Sequence, residues 1–364
     1  MLDTPTVLLQ RITNWQTNLA DKTATLFSSP ADIEYFTGFG FLLPTEREAF
    51  LVISKAQATL WHASFSPLPE VITTLAQPMY GLQTVINSLS LEVATSNVAE
   101  IIFDATNLTV TEYELLKKIP NLKLTELDRN KIWQLRSSKD QIEQIALKKA
   151  NEITAEVVSK IILDLKVGQS EADMAWILEQ ALRAAGCNGL AFPTIIAFGE
   201  HTALPHHQPT TKILEPEMAV LIDCGGKFAN YCADMTRSFW FGSTPPEEYK
   251  KIQEIVKEAH NATADWLKKQ LAAGEPILAK NLDEKTRQII VAACYGKEFV
   301  HTTGHGVGLE IHEPPSLNWR NETLLPENAC ITIEPGIYLT GKYGYRHENT
   351  FQIQAQNLLN LTDF

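Results

Sequence analysis

The chain has 364 residues, 45% hydrophobic and 20% charged, the usage of a globular protein with two domains or one large one. Lys and Arg total 31 against 43 Asp and Glu, a formal net charge of −12, which argues against nucleic acid as a main partner. Five cysteines without any C-x-x-C exclude a disulfide scaffold and a thiolate zinc site, and fit reduced thiols in a cytoplasm.

Met1–Ala20 carries Asp3, Arg11 and Asn14 and lacks the apolar stretch of a signal peptide. Nothing approaches the ~18 apolar residues of a membrane span, so no membrane contact is expected. Residues 1–135 alternate short elements. Strands are expected at Thr23–Phe27, Ala49–Ile53, Ala58–Trp61 and Ile101–Phe103, with helices such as Val7–Leu19 and Thr111–Lys118 between them, an α/β pattern.

The texture changes near Arg136. Ser138-Lys-Asp-Gln141 reads as a capping box opening a long helix, with Ile142, Ile145, Ala146, Ala150, Ile153, Val157 and Ile161 at helical spacing. Lys166-Val-Gly168 ends it. Ser170-Glu-Ala-Asp173 starts a second helix, stopped at Gly186. A third begins at Thr244-Pro-Pro-Glu247 with prolines in its first turn, and a fourth covers about Asp283–Cys294. Met218–Asp223, Tyr231–Phe241, Cys330–Tyr338 and Tyr345–Ile353 read as strands. The fold class is therefore α+β behind a smaller α/β domain, with domains at 1–136 and 137–364.

Chemistry concentrates in the second domain. Eight of nine histidines follow residue 200. Asp223 ends an apolar strand, and Asp234 follows eleven residues later across a hairpin signalled by Cys224-Gly-Gly226. A buried Asp is costly unless paired or metal-bound, and for Asp234 a salt bridge to Arg237 is the structural alternative. Glu334 repeats the anomaly in Cys330-Ile-Thr-Ile-Glu-Pro-Gly336. Glu348 repeats it in Tyr345-Arg-His-Glu-Asn-Thr-Phe351, where strand periodicity places Arg346 beside Glu348, as an ion pair, and turns His347 away. His301-Thr-Thr-Gly-His305-Gly-Val-Gly308 is a histidine loop whose glycines permit positive φ and close backbone approach. Four carboxylates and one imidazole suit two ions among Mn²⁺, Co²⁺ and Zn²⁺ sharing carboxylates, because one catalytic Zn²⁺ takes only three protein ligands.

Asp223, Asp234, His305, Glu334 in Glu-Pro-Gly, and Glu348 after Arg346 together resemble the metallopeptidases of pita-bread fold. That family includes methionine aminopeptidase, aminopeptidase P and prolidase. The resemblance covers about 137–364. Asp32-Ile-Glu-Tyr-Phe-Thr-Gly38 more weakly resembles the creatinase-type N-terminal domain of the Xaa-Pro branch. The resemblance implies a pita-bread catalytic domain holding two divalent ions, manganese first, with Co or Zn also admitted, on Asp223, Asp234, His305, Glu334 and Glu348. It implies Xaa-Pro peptides as partners and a homo-oligomer, a dimer. Glu334 would carry a proton to the leaving nitrogen. His206 would bind substrate, His312 would contact the scissile amide and stabilise the tetrahedral intermediate, and both would donate hydrogen bonds as charge develops on the carbonyl oxygen. His301 would wall the proline pocket, and Arg346 would orient Glu348 and serve substrate binding. The implied function is an Xaa-Pro aminopeptidase, because several prolidases carry an arginine four residues past the histidine matching His312, where this chain has Ser316. An Xaa-Pro dipeptidase, in which Arg320, Arg346 or a partner subunit substitutes for that arginine, is the alternative. A non-catalytic peptide-binding module and a creatinase-like amidinohydrolase are the readings of other classes.

Overall fold

A computed structural model describes residues 4–41, 43, 45–69 and 72–363. The chain divides into two units, Met1–Gln134 and Leu135–Phe364. No helix among the described residues is long and apolar enough to cross a membrane.

The first unit is built on strands β1 (Thr23–Phe27), β2 (Ala49–Ser54), β3 (Ala58–Ala63), β4 (Ala76–Met79), β5 (Glu100–Phe103) and β6 (Lys123–Glu126). They form one sheet ordered β4-β3-β2-β1-β5-β6, antiparallel between β1, β2 and β3 and parallel outward on both sides. Helix α1 (Thr4–Thr17) precedes β1, helices α2 (Pro30–Thr37), α3 (Leu82–Ala94) and α4 (Val110–Leu116) lie between strands, and α5 (Arg129–Ser137) spans the chain division at Gln134. β4 and β6 have no counterpart in the sequence reading. Both are edge strands, where Pro78 and the polar Lys-Leu-Thr-Glu run are tolerated and no apolar alternation is required.

The second unit begins with α6 (Gln141–Asp164) and α7 (Glu171–Ala184). The cap of α6 is Asp140, not Ser138. Its carboxylate accepts from the Ile142 and Glu143 amides while Glu143 accepts from the Asp140 amide, and the Ser138 hydroxyl donates instead to the Glu327 carbonyl. α8 (Glu247–Ala273) is capped at Pro246, so its prolines precede the first turn. α9 (Ala279–Ala292) starts a turn earlier than expected, its Leu278 amide held by the Asn281 side chain.

The remaining strands are β7 (Gly189–Leu190), β8 (Ile195–Phe198), β9 (Met218–Cys224), β10 (Gly226–Phe228), β11 (Tyr231–Cys232), β12 (Met235–Phe241) and β13 (Gly304–Gly306). They are followed by β14 (Glu313–Leu317), β15 (Cys330–Ile333), β16 (Gly336–Leu339), β17 (Tyr343–Arg346), β18 (Asn349–Gln354) and β19 (Asn357–Asn360). The main sheets are ordered β12-β9-β8 and β14-β13-β15-β18-β19. α6 and α7 bury Val158, Leu178 and Leu182 against Phe198, Val220 and Ile222 of the first sheet. Leu267 of α8 and Leu282 of α9 pack on Ile331, Ile333 and Phe351 of the second. This apolar backing holds the strand ends that carry the charged residues. All five cysteines are free.

Candidate active site

Asp223, Asp234, Glu334 and Glu348, with His206, His301, His305, His312 and Arg346, line one cavity of about 600 Å³ in the second unit, and His347 lies outside it. The register explains the convergence. Asp223 is the sixth residue of β9 and pairs with Thr236 of β12, and Asp234 immediately precedes β12. Ile333 pairs with Asn349, so Glu334, just past β15, faces Glu348, just before β18. His305 sits at the centre of β13, squeezed between β14 and β15. A Cβ at Gly304 would lie 2.1 Å from the Thr332 carbonyl oxygen, and one at Gly306 2.4 Å from that of Pro314. The glycines flanking His305 therefore serve close approach, and neither adopts the positive φ that the sequence reading also allowed.

His305 Nε2 lies 3.4 Å from Glu334 Oε1 and 3.5 Å from Asp234 Oδ2. One donor atom each of Asp234, His305 and Glu348 lie within 4.8 Å of one another. Asp223 Oδ1 is buried without a hydrogen-bond partner. Burial, reinforced by Glu348, Asp223 and Glu334, pushes the Asp234 carboxyl well up. Burial and then Glu334 and Asp223 do the same to Glu348. Glu334 is pushed up to about 7 by burial, against the pull of Arg346. Burial and then His312 lower His305 to about 4, so its imidazole is neutral and able to ligate. Crowded carboxylates, an orphaned carboxylate oxygen and a neutral imidazole are the donor set of a divalent-cation site.

Arg346 is buried at the centre of this arrangement, but its partner is not Glu348. Its guanidinium donates to Asp223, to the Tyr338 hydroxyl at 2.8 Å, to Thr236 Oγ1 at 3.0 Å and to the Pro205 carbonyl at 3.3 Å. Glu348 is reached only through Thr236, whose hydroxyl donates to Glu348 Oε2 at 2.6 Å. The expected Arg346–Glu348 pair fails because β17 ends at Arg346 and β18 starts at Asn349, so strand periodicity does not run across 347–348. The Tyr338 hydroxyl also meets His301 Nε2 at 2.8 Å. Burial and then Arg346 lower His301 to about 3, so it is neutral too. Arg237, offered as a partner for Asp234, donates to the carbonyls of Thr236, Glu348 and Thr362.

His206 and His312 face the cavity; the His312 ring lies edge-on to His305 with centroids 4.4 Å apart. Next to His312, Glu313 is buried against both Arg136 and Lys139, with Lys139 Nζ 2.8 Å away. Burial would raise its pKa, but the two cations outweigh that and hold it at about 2. His260 lies edge-on to His347 and tilted against Phe351, outside the cavity. The sequence reading missed Thr236 and Tyr338, which connect the charged groups, and Glu171, discussed below. A hydroxyl on a strand carries no sequence signal of such a role.

A match to the description "Metallopeptidase family M24" spans residues 145–355, and one to "Creatinase/Prolidase N-terminal domain" spans 11–138. The chain belongs to metallopeptidase family M24. It is an enzyme of a family that uses divalent metals. An uncharacterized peptidase of Staphylococcus aureus (strain USA300) is 33% identical over 347 residues, 94% of this chain and 95% of its own. Among solved structures, the Thermotoga maritima X-Pro aminopeptidase has a TM-score of 0.81 at 29% identity, covering 96% of this chain and 98% of its own. The Bacillus anthracis Xaa-Pro dipeptidase has 0.86 at 26% identity, over 99% and 98%. The Pyrococcus furiosus prolidase has 0.82 at 30%, over 97% and 99%. The fold implied by the resemblance, a pita-bread unit behind a creatinase-type one, is the fold present in this M24 chain.

Proposed function

We propose that this M24 enzyme is a dinuclear-metal exopeptidase that hydrolyses the Xaa-Pro bond at the N-terminus of short peptides. The carrying observation is the convergence of four carboxylates and a neutral imidazole on one cavity with one guanidinium. Asp223, Asp234, His305, Glu334 and Glu348 would hold two divalent ions. Bound divalent ions supply Lewis acidity, acidifying water and polarising a carbonyl.

The chain's own groups do the rest. Glu334, whose Oε1 lies 3.4 Å from His305 Nε2 on the cavity wall, would take a proton from water and give it to the proline nitrogen. His206 and His312 face the cavity, where an N–H donated to the peptide carbonyl oxygen stabilises the charge developing there. His301, held by Tyr338, walls the side that receives proline. Arg346 orients Asp223 directly and Glu348 through Thr236, a support that fixes ligand direction.

Aminopeptidase action is favoured over dipeptidase action by the cations. Arg346 is the one Lys or Arg among the described residues lining the cavity, and its donors are committed to four partners. Ser316 lines the cavity where several prolidases carry arginine. Among the described residues of this cavity, no Lys or Arg is thus left to hold the free carboxylate of a dipeptide. The dipeptidase reading draws on the likeness to the B. anthracis Xaa-Pro dipeptidase and the P. furiosus prolidase. Dialysis against a chelator, re-addition of Mn²⁺, Co²⁺ or Zn²⁺, and parallel assay of Ala-Pro and Ala-Pro-Ala decide the matter. Hydrolysis restored by metal, with Mn²⁺ the first choice and Ala-Pro-Ala preferred, is expected. Full activity without metal would sink the two-ion reading, and preference for Ala-Pro would turn it to a dipeptidase.

A further inference from the structure

A second convergence of ligating side chains lies outside the cation site. It comprises Glu171, at the first turn of α7, with His201 and His207. Its chemistry is not that of a metal site. Glu171 Oε1 accepts from the Phe198 amide at 2.9 Å and faces His201 Nδ1 at 2.8 Å. Oε2 accepts from the Thr210 amide at 2.9 Å and hydroxyl at 2.6 Å and faces His207 Nε2 at 2.9 Å. With each imidazole donating, five donors fill both oxygens, so a cation would have to displace several of them. Burial would raise the Glu171 pKa, but the bonds from Thr210, His207, Phe198 and His201 prevail and keep the carboxyl below its ordinary value. The start of α7 adds a favourable dipole for a negative charge.

All five donors come from residues 198–210, and His206 sits among them. Beyond Phe198, the end of β8, and a 3-10 turn at Gly199–Ala203, this segment has no regular structure to hold it. His206 itself makes no hydrogen bond among the described residues, so its direction comes from its neighbours. On one side the Pro205 carbonyl is held by Arg346, and on the other the His207 ring is held by the fully buried Glu171.

We infer that Glu171 is a positioning residue. It acts through His207, His201 and Thr210 to fix the backbone on either side of His206 and so aim that imidazole at the peptide. The inference rests on the proposed role of His206.

The test uses the metal-loaded enzyme. Glu171→Gln keeps the size but turns one acceptor into a donor that meets donors. It is expected to lower kcat by ~10²-fold, the loss associated with displacing a catalytic group by about 1 Å. KM and bound metal should stay near wild type, and Glu171→Asp should recover part of the loss. In a His206→Ala background the same Glu171→Gln change should cost little more, because its target is gone. An equal loss in both backgrounds would mean a general structural role and overturn the inference. Hydrogen exchange of the metal-loaded proteins gives a readout independent of turnover. Faster exchange confined to 199–210 in Glu171→Gln is expected, and unchanged exchange there overturns the inference. Absence of Xaa-Pro hydrolysis by the wild-type enzyme would instead overturn the proposed function and, with it, the aim at peptide.

Discussion

In the first unit, Asp32 and Asp104 are as buried as any carboxylate of the catalytic cavity, yet both lie against the guanidinium of Arg129, 2.9 Å from Asp104. Arg47 there is likewise matched, by Glu112 at 2.8 Å and by Asn107. In the cavity of the second unit, Glu313 has Arg136 and Lys139 against it, but the other four carboxylates have one guanidinium among them, and one buried oxygen has no partner. Both units buried acids against the same desolvation cost. The first matched them within the chain. The second left an excess of negative charge that only protons or cations can neutralise. A surplus of this kind marks a site better than burial or acidity alone.

The largest expected effect tests the surplus where it does chemistry. Glu334→Gln should lower kcat by ~10²–10⁴-fold, the usual worth of a positioned acid–base group. Elemental analysis should show metal largely retained, and turnover near wild type would remove the proton-transfer role. The converse change breaks the match in the first unit. Arg129→Ala takes the shared cation from Asp32 and Asp104 and should cost ~3–5 kcal/mol in urea unfolding, while metal content is unaffected.

Chelation comes next. Removing each ion held at a hundred times its Kd should cost about 2.7 kcal/mol, and the cost should depend on pH. Glu334 in the metal-free chain is raised to about 7, so its contribution to stability is full below its ordinary pKa and is lost as pH climbs through about 7. Ions bind the deprotonated carboxylates, so the gap in melting temperature between loaded and chelated protein should widen as pH rises. A gap independent of pH would contradict the surplus. Glu313, matched by two cations and lowered to about 2, has the opposite sign: its contribution is present above the ordinary carboxylate range and fades only as pH falls toward 2. The smallest effect is expected at Thr236→Val, which cuts the link from Arg346 to Glu348 and should weaken metal affinity ~10–100-fold by titration calorimetry.

Much of this was legible in the sequence, for a physical reason. An acid at the end of an apolar strand, or a histidine between glycines, violates the local pattern. Asp223, Asp234, Glu334, Glu348 and His305 each stood out on that ground, and the structure brings them together. What stayed hidden fits its local pattern. Glu171 reads as an ordinary acid in the first turn of a helix, and the rings that hold it lie 30 and 36 residues away. Arg346 was placed beside Glu348 by a periodicity that a break between two strands interrupts. Edge strands β4 and β6 lack the apolar alternation that marks a strand with a buried face.

Arg136 and Lys139 also decide where this chain can be divided. A second unit begun at Gln141 would keep Glu313 in its interior with both cations cut away, at ~3–5 kcal/mol, beside a histidine of the cavity. One begun at Leu135 keeps both. The few residues before α6 look like a tether between units, yet they are the seam that closes the wall of the catalytic cavity.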